Sequence, residues 1–154
     1  MTIEAESKIT KIPSKTITSL KSILKKDAII EEEFPDKELK GFKVKLKYVP
    51  RDQILKIQEK CTTSKFDRKT RQVVQDIDSD LFQELFVKEV IVGWTGLKYK
   101  YLQTLLVVDL TDYEDLDKEL NYTPEFAFDL IRNSTIFDSW INEIVSDVEN
   151  FNKS

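Results

Sequence analysis

Residues Asp78 to Leu97 read DSDLFQELFVKEVIVGWTGL, and the rest of the chain is organised around them. At helical spacing, its apolar side chains cover one wide arc and its charged side chains lie opposite. Ser79 or Asp78 can cap the start, and Gly93 can end the helix in the left-handed conformation that glycine tolerates. The pattern predicts a central, mostly buried helix near residues 79–93, ending in a Gly-Trp-Thr-Gly corner.

We expect this helix, its corner and the apolar face of the last helix to supply the structural core. The predicted core residues are Phe82, Leu85, Phe86, Gly93, Trp94, Gly96, Phe137, Trp140 and Ile144. Glu89 falls inside the apolar arc, where an unpaired carboxylate would be unfavourable. We interpret Glu89 as reaching the rim or pairing with a lysine, and not as a catalytic group.

Upstream, residues 41–49 alternate apolar and lysine side chains, which predicts a strand with one core face and one lysine face. A lysine row could contact nucleic-acid phosphates, but more often it protects an exposed strand from wrong pairing. No aromatic side chains interleave with the lysines, so a nucleic-acid partner is disfavoured. Pro50 then begins a helix in which Cys61 is a small core residue. A polar, basic loop follows over residues 62–72.

Two helices are predicted near the C-terminus. Thr123 can cap the first, with Pro124 at its first position. The break falls at Asn133–Ser134, and the second helix runs from Thr135 to Phe151 with a continuous apolar face.

The predicted fold class is therefore α+β and mainly α, with a short N-terminal strand or β-hairpin element beside the central helix. Residues 1–40 are expected to be a flexible arm, in which residues 14–26 could form a short amphipathic helix. Residues 41–151 are expected to form a single globular, mainly helical domain, and residues 152–154 a tail.

Composition argues against an enzyme. The 154 residues include no histidine, which removes the commonest general base and metal ligand, and one cysteine, which fits a reducing compartment. Asp76, Asp78 and Asp80 resemble the opening of a calcium loop, but Leu81 stands where glycine is needed and Val87 where glutamate is needed. We expect no catalytic residues, cofactor or metal, and no membrane partner because no apolar run reaches 18 residues.

Charge is distributed unevenly along the chain. Residues 1–72 carry 18 Lys/Arg and 11 Asp/Glu, whereas residues 73–154 carry 6 and 17. Such a chain could fold its halves together, stack weakly head to tail with other copies, or expose two solvated faces without a partner.

Three stretches in order carry a resemblance. They are the strand–helix segment GFKVKLKYVPRDQILKI, the apolar helix running into VIVGWTGL, and the helical pair YTPEFAFDLIRNSTIFDSWINEIVSDVENF. Together they resemble the tail assembly chaperones of long-tailed bacteriophages. The resemblance covers residues 41–151, and its most specific parts are the corner at residues 93–97 and the Asn-Ser break at 133–134.

The resemblance implies that the protein binds the tape measure protein, keeps it soluble and promotes assembly of tail tube protein around it. It would act in the host cell cytoplasm and be absent from the mature virion. The alternative is a structural tail or head-tail connector subunit that stays in the particle. We expect exposed basic residues to contact partners: Lys21, Lys25, Lys26, Lys43, Lys45, Lys47, Lys65, Arg68, Lys69 and Arg71.

Overall fold

The structure is a computed structural model that describes residues 16–153. In these residues the strands are β1 (Ile29–Glu33), β2 (Lys43–Lys47), β3 (Thr62–Asp67), β4 (Gln72–Ile77) and β5 (Ile91–Thr95). The α-helices are α1 (Arg51–Lys60), α2 (Ser79–Val90), α3 (Leu102–Leu105), α4 (Pro124–Asn133), α5 (Thr135–Val145) and α6 (Glu149–Asn152). Short 3₁₀ turns occupy Leu20–Ile23, Lys37–Leu39 and Tyr99–Tyr101.

The strand predicted over residues 41–49 is confirmed as β2, and it is the middle strand of an antiparallel sheet ordered β1-β2-β5. Val44 and Leu46 point into the core, and Lys43 and Lys45 are exposed. Pairing with β5 shifts register between Lys45 and Leu46, so that β5 carries a bulge there. Alternating burial on β2 thus divides the sheet into an apolar face and a charged face.

The predicted mainly α fold is wrong. Strands hold 21% of the described residues against 44% for helices, in two small antiparallel sheets, so the fold is mixed α/β. The physical reason is pairing: the two segments that flank β2 in the sheet satisfy their backbone groups against it. One of them was predicted as part of the flexible arm and the other as the end of the central helix.

The central helix is shorter than predicted. Asp78 caps it, accepting a hydrogen bond from the amide of Leu81, but α2 ends at Val90. Gly93 is not its C-terminal cap, because residues 91–95 are extended and form β5. In α2 itself only Val87 and Val90 are buried, so the predicted buried helix is a half-buried one.

The main core lies between the apolar face of the sheet and the C-terminal helices. Phe42 and Phe137 are fully buried, and their rings stack at 6.1 Å. The predicted break between the two C-terminal helices is confirmed: α4 ends at Asn133, and the hydroxyl of buried Ser134 accepts from the amide of Phe137 to cap α5. The last helix is interrupted where α5 stops at Val145, before the single turn α6.

The folded unit begins upstream of residue 41. β1 pairs with β2, and Phe34 and Leu39 are buried in the core. Further upstream, residues 16–26 are exposed and contain one 3₁₀ turn instead of the predicted amphipathic helix, whose first two residues lie outside the described part. Apolar positions at helical spacing do not form a helix here, because no surface covers them.

The predicted polar loop over residues 62–72 is a β-hairpin. β3 and β4 form a separate two-stranded sheet, closed by a turn in which the amide of Arg71 donates to the carbonyl of Asp67 at 2.7 Å. Arg71 adopts a positive φ of 57° to complete the turn. From residue 63 to residue 80 every side chain is exposed except half-buried Asp67, so the hairpin projects from the body.

Candidate functional site

An apolar groove opens to solvent between α4 and the segment that follows α3. Its volume is about 420 Å³. Buried Leu97 and Leu130 line it together with solvent-exposed Val107, Val108 and Phe126. Its remaining lining residues are Trp94, Leu102, Leu106, Leu120, Asp129 and Asn133. A large apolar side chain such as Val107, wholly exposed at the edge of a concave apolar surface, is typical of a binding site.

Backbone and side-chain hydrogen bonds hold the back wall of the groove in place. The indole N–H of Trp94 donates to the carbonyl of Leu120 at 2.9 Å, and the amide of Leu120 donates to the carbonyl of Leu97 at 2.7 Å. The hydroxyl of Tyr122 donates to the carbonyl of Ile91 at 2.7 Å, and its ring meets that of Trp94 edge-on at 5.2 Å. Burial raises the pKa of Tyr122. These bonds hold residues 120–122 against β5 and the residues that follow it, so the groove is preformed.

The loop beside the groove is strongly acidic. Residues 109–119 contain six carboxylates and one lysine. Lys100 forms a 2.9 Å ion pair with Asp117, and this contact lowers the pKa of the carboxyl and raises the pKa of the lysine. The amide of Thr111 donates to Asp109 and lowers the pKa of that carboxyl. The groove therefore combines an apolar floor with a negatively charged flank.

The lining of the groove is almost wholly apolar. Among the described residues, its polar side chains are Asp129 and Asn133, and the other nine lining residues are apolar. Within residues 16–153, no three side chains of the histidine, cysteine or carboxylate type come together as a metal site would require. An apolar face with a few orienting polar groups suits binding of an amphipathic helix.

The strand lysines do not form a free basic surface. Lys43 and Lys45 lie opposite Glu33 and Glu31 in the register of β1 and β2. Lys47 lies 3.4 Å from Asp27 and 3.6 Å from Glu89. The interpretation of Glu89 as pairing with a lysine is thus confirmed, and the lysine row is balanced by carboxylates of this chain.

Two of the arm lysines, Lys25 and Lys26, lie near Lys47. Lys25 donates to the carbonyl of Phe151 at 2.9 Å, which ties the arm to the last helix. Lys25, Lys26 and Lys47 line one depression, whereas Lys21 lies in the exposed 3₁₀ turn. The other predicted partner residues lie apart from these, on the projecting hairpin: Lys65, Arg68, Lys69 and Arg71.

The predicted core positions divide into two groups. The buried ones are Trp94, Phe137 and Ile144. The half-buried ones are Phe82, Leu85, Phe86, Gly93, Gly96 and Trp140. Phe82 and Phe86 stack on one another at 5.9 Å along α2, so part of this set forms a patch on the helix surface. Cys61 is buried, as predicted.

Sequence reasoning missed Val107, Val108 and Phe126 as site residues. The first two stand next to each other at the start of an acidic segment, outside any helical or alternating pattern. The sequence signal for Val107 and Val108 was that two adjacent β-branched residues belong to no amphipathic pattern. Their proximity to Phe126 could not be predicted, because it arises only when α4 packs beside them.

Comparison with protein-family models, with curated proteins and with solved structures finds no match to this chain. Among the helices of the described part, none combines the length and the apolar character needed to cross a bilayer.

Proposed function

We propose that this protein is a tail assembly chaperone of a long-tailed bacteriophage. In this role it binds the tape measure protein, keeps it soluble and promotes assembly of the tail tube protein around it. It acts in the host cell cytoplasm and leaves before the virion is complete. The order of motifs in the sequence supports this proposal, together with one structural observation, the open apolar groove with an acidic flank.

The groove supports a binding role through its shape and chemistry. A chaperone for a long helical client must cover apolar stripes on that client and present a charged outer surface to water. Val107, Val108 and Phe126 offer exposed apolar contact area around a buried floor. The carboxylates beside them keep the groove soluble when it is empty and favour clients that carry lysine or arginine beside the apolar stripe.

The test is co-expression with the tape measure protein from the same genome, with capture through a tag on this chain. The client alone should be insoluble, and the co-expressed client should be recovered in a soluble complex. Val107→Asp should reduce the recovered client about tenfold or more, because a charge is brought into an apolar contact. Val148→Asp is the matched control, since Val148 is also exposed and lies outside the groove.

Two results would count against this function. If the wild type and Val107→Asp recover equal amounts of soluble client, the groove does not bind the client. Insoluble client in every case, together with a single ring-shaped oligomer of this chain by light scattering, would instead favour a connector subunit retained in the particle.

A further inference from the structure

The β3–β4 hairpin exposes an apolar face that no part of residues 16–153 covers. In the register of the two strands, Phe66 lies opposite Val73. Ile77 shares their face, because side chains alternate along a strand. Their exposed fractions are 63%, 65% and 53%. A two-stranded hairpin is marginally stable by itself, so further pairing or cover would stabilise it.

The hairpin also carries opposite charges at its two ends. The turn holds Arg68, Lys69 and Arg71, whereas the far end of β4 leads through Asp76 and Asp78 to Asp80 at the start of α2. At 3.3 Å per residue, the basic turn and the acidic base are separated by roughly 20 Å. The three aspartates do not form a metal site here, and they give the hairpin a charge polarity along its length.

We propose that two copies of this chain pair through the outer edges of their β4 strands, antiparallel and across a two-fold axis, to form a four-stranded sheet. Antiparallel pairing places the basic turn of each copy beside the acidic base of the other. The backbone groups of each outer β4 edge, which pair with no other strand of the described residues, then bond to the other copy. The charge complementarity and the open strand edge therefore both favour a second copy of this chain as the partner.

Side-chain alternation limits the possible registers between the β4 strands of the two copies. A two-fold axis perpendicular to the sheet keeps both apolar faces on one side and pairs residues of equal parity. Centred on Gln75, the register places Val73 opposite the second copy's Ile77, and this contact occurs twice. Gln72 then lies opposite Asp78, with Arg71 next along the strand. Phe66 and Val73 of one copy and Ile77 of the second copy then form one continuous apolar row across the axis.

The edge of β3 is the poorer candidate. Its base follows Glu59 and Lys60 at the end of α1, whose charges cancel, so antiparallel pairing through β3 would place the basic turn beside a base with no net charge. Thr62, at that base, is half-buried, and its hydroxyl donates to the carbonyl of Gln58 at 2.7 Å. The β3 edge therefore lies against the body at one end, whereas residues 71–80 are all exposed.

The proposed pairing is isologous, so it differs from a head-to-tail stack in which the basic half of one copy contacts the acidic half of the next. An isologous contact stops at a dimer, whereas a heterologous contact continues into open assemblies. The contact through one strand edge is smaller than a standard interface of about 1,600 Å², so the dimer should be weak and reversible. This inference does not rest on the chaperone proposal.

The first experiment is sedimentation velocity on the full chain over a wide concentration range. A reversible monomer–dimer equilibrium that weakens with added salt is expected. Ile77→Thr should raise the dissociation constant of the dimer about tenfold, because apolar contact area is lost at two symmetric positions. Ile136→Thr should leave it unchanged, since Ile136 is exposed to a similar degree (55%) but lies on α5. A monomer at all concentrations, or open-ended growth, would overturn the proposal.

The second experiment is disulfide trapping. Gln75→Cys places two thiols directly opposite one another across the axis, at about 5 Å between Cα atoms, which a disulfide can bridge. Ser64→Cys is the control, because Ser64 lies opposite Gln75 within the hairpin but one strand farther from the axis. The native Cys61 is buried. Gln75→Cys should form a covalent dimer under mild oxidation, and equal rates for the two variants would refute the register.

Discussion

Gly96→Ala should be the most destabilising of the three glycine-to-alanine changes. Gly96 follows β5 and Gly41 precedes β2, so pairing of these strands brings the two glycines together. A Cβ atom on Gly96 would lie 2.0 Å from the carbonyl oxygen of Gly41 and 2.8 Å from its carbon. Backbone atoms cannot rotate away as a side chain can, so the turn before Phe42 would have to move.

The magnitude follows from two terms. Gly96 has a φ of +77°, and left-handed backbone costs a residue with a Cβ about 1–2 kcal/mol. Overpacking against the turn adds about 1–3 kcal/mol, because buried Phe42 is displaced with it. The expected loss in unfolding free energy is therefore roughly 2–5 kcal/mol, which at this chain length lowers Tm by roughly 4–20 °C.

The other two glycines are matched controls. Gly41 has a φ of +89°, but a Cβ there would meet nothing within 4 Å, so Gly41→Ala should cost only the backbone term of about 1–2 kcal/mol. At Gly93 a Cβ would meet the side chain of Lys45 at an ordinary 3.7 Å, and Gly93→Ala should be nearly neutral.

Urea unfolding followed by tryptophan fluorescence measures all three variants, read as midpoint shifts at constant m-value. The expected order of destabilisation is Gly96, Gly41, Gly93. Equal losses for Gly96→Ala and Gly41→Ala would refute the close approach of the two turns. A large loss for Gly93→Ala would favour the helix cap over the strand.

Three smaller changes probe the C-terminal half. Ser134→Ala should cost about 1–2 kcal/mol in unfolding free energy, because it removes the buried cap of α5; thermal unfolding measures this, and an unchanged Tm would contradict it. Tyr122→Phe should cost about 1 kcal/mol, since the carbonyl of Ile91 loses its donor; urea unfolding measures this, and a neutral result would mean that water replaces the hydroxyl. Asp117→Asn should destabilise at neutral pH but not in acid. Lys100 lowers the pKa of Asp117, so the stabilisation is present above the ordinary carboxyl pKa and is lost as the pH falls through the lowered one. A loss that persists in acid would mean that this ion pair is not its cause.

Helix boundaries with polar caps were predictable because the groups involved are neighbours in sequence. The caps at Asp78, Thr123 and Ser134 each satisfy an amide three residues away. The strand at residues 43–47 was equally accessible, since its alternation is complete within five residues. These elements form largely for local reasons, and the sequence specifies them directly.

The groove could be anticipated only in part. Its acidic flank is visible as a run of carboxylates, and the helix at Pro124 is capped as expected. Its apolar walls come from separate segments, and Val107 carries no pattern that assigns it to a surface site. The partner residues were predicted from their exposure and the sign of their charge. The carboxylates that balance Lys43 and Lys45 come from β1, which lies in the segment predicted as a flexible arm.

Tertiary structure alone decided whether the apolar run after α2 continues as helix or becomes β5. A short apolar run suits either state, and pairing with β2 made residues 91–95 a strand. Likewise, neither strand of the hairpin shows alternation, and each is extended because the other supplies its hydrogen bonds. Local sequence patterns were enough to specify the helix caps, the central strand and the helix break at Asn133–Ser134. The second sheet, the bulge and the meeting of Gly41 with Gly96 depend on partners far along the chain, which local periodicity does not encode.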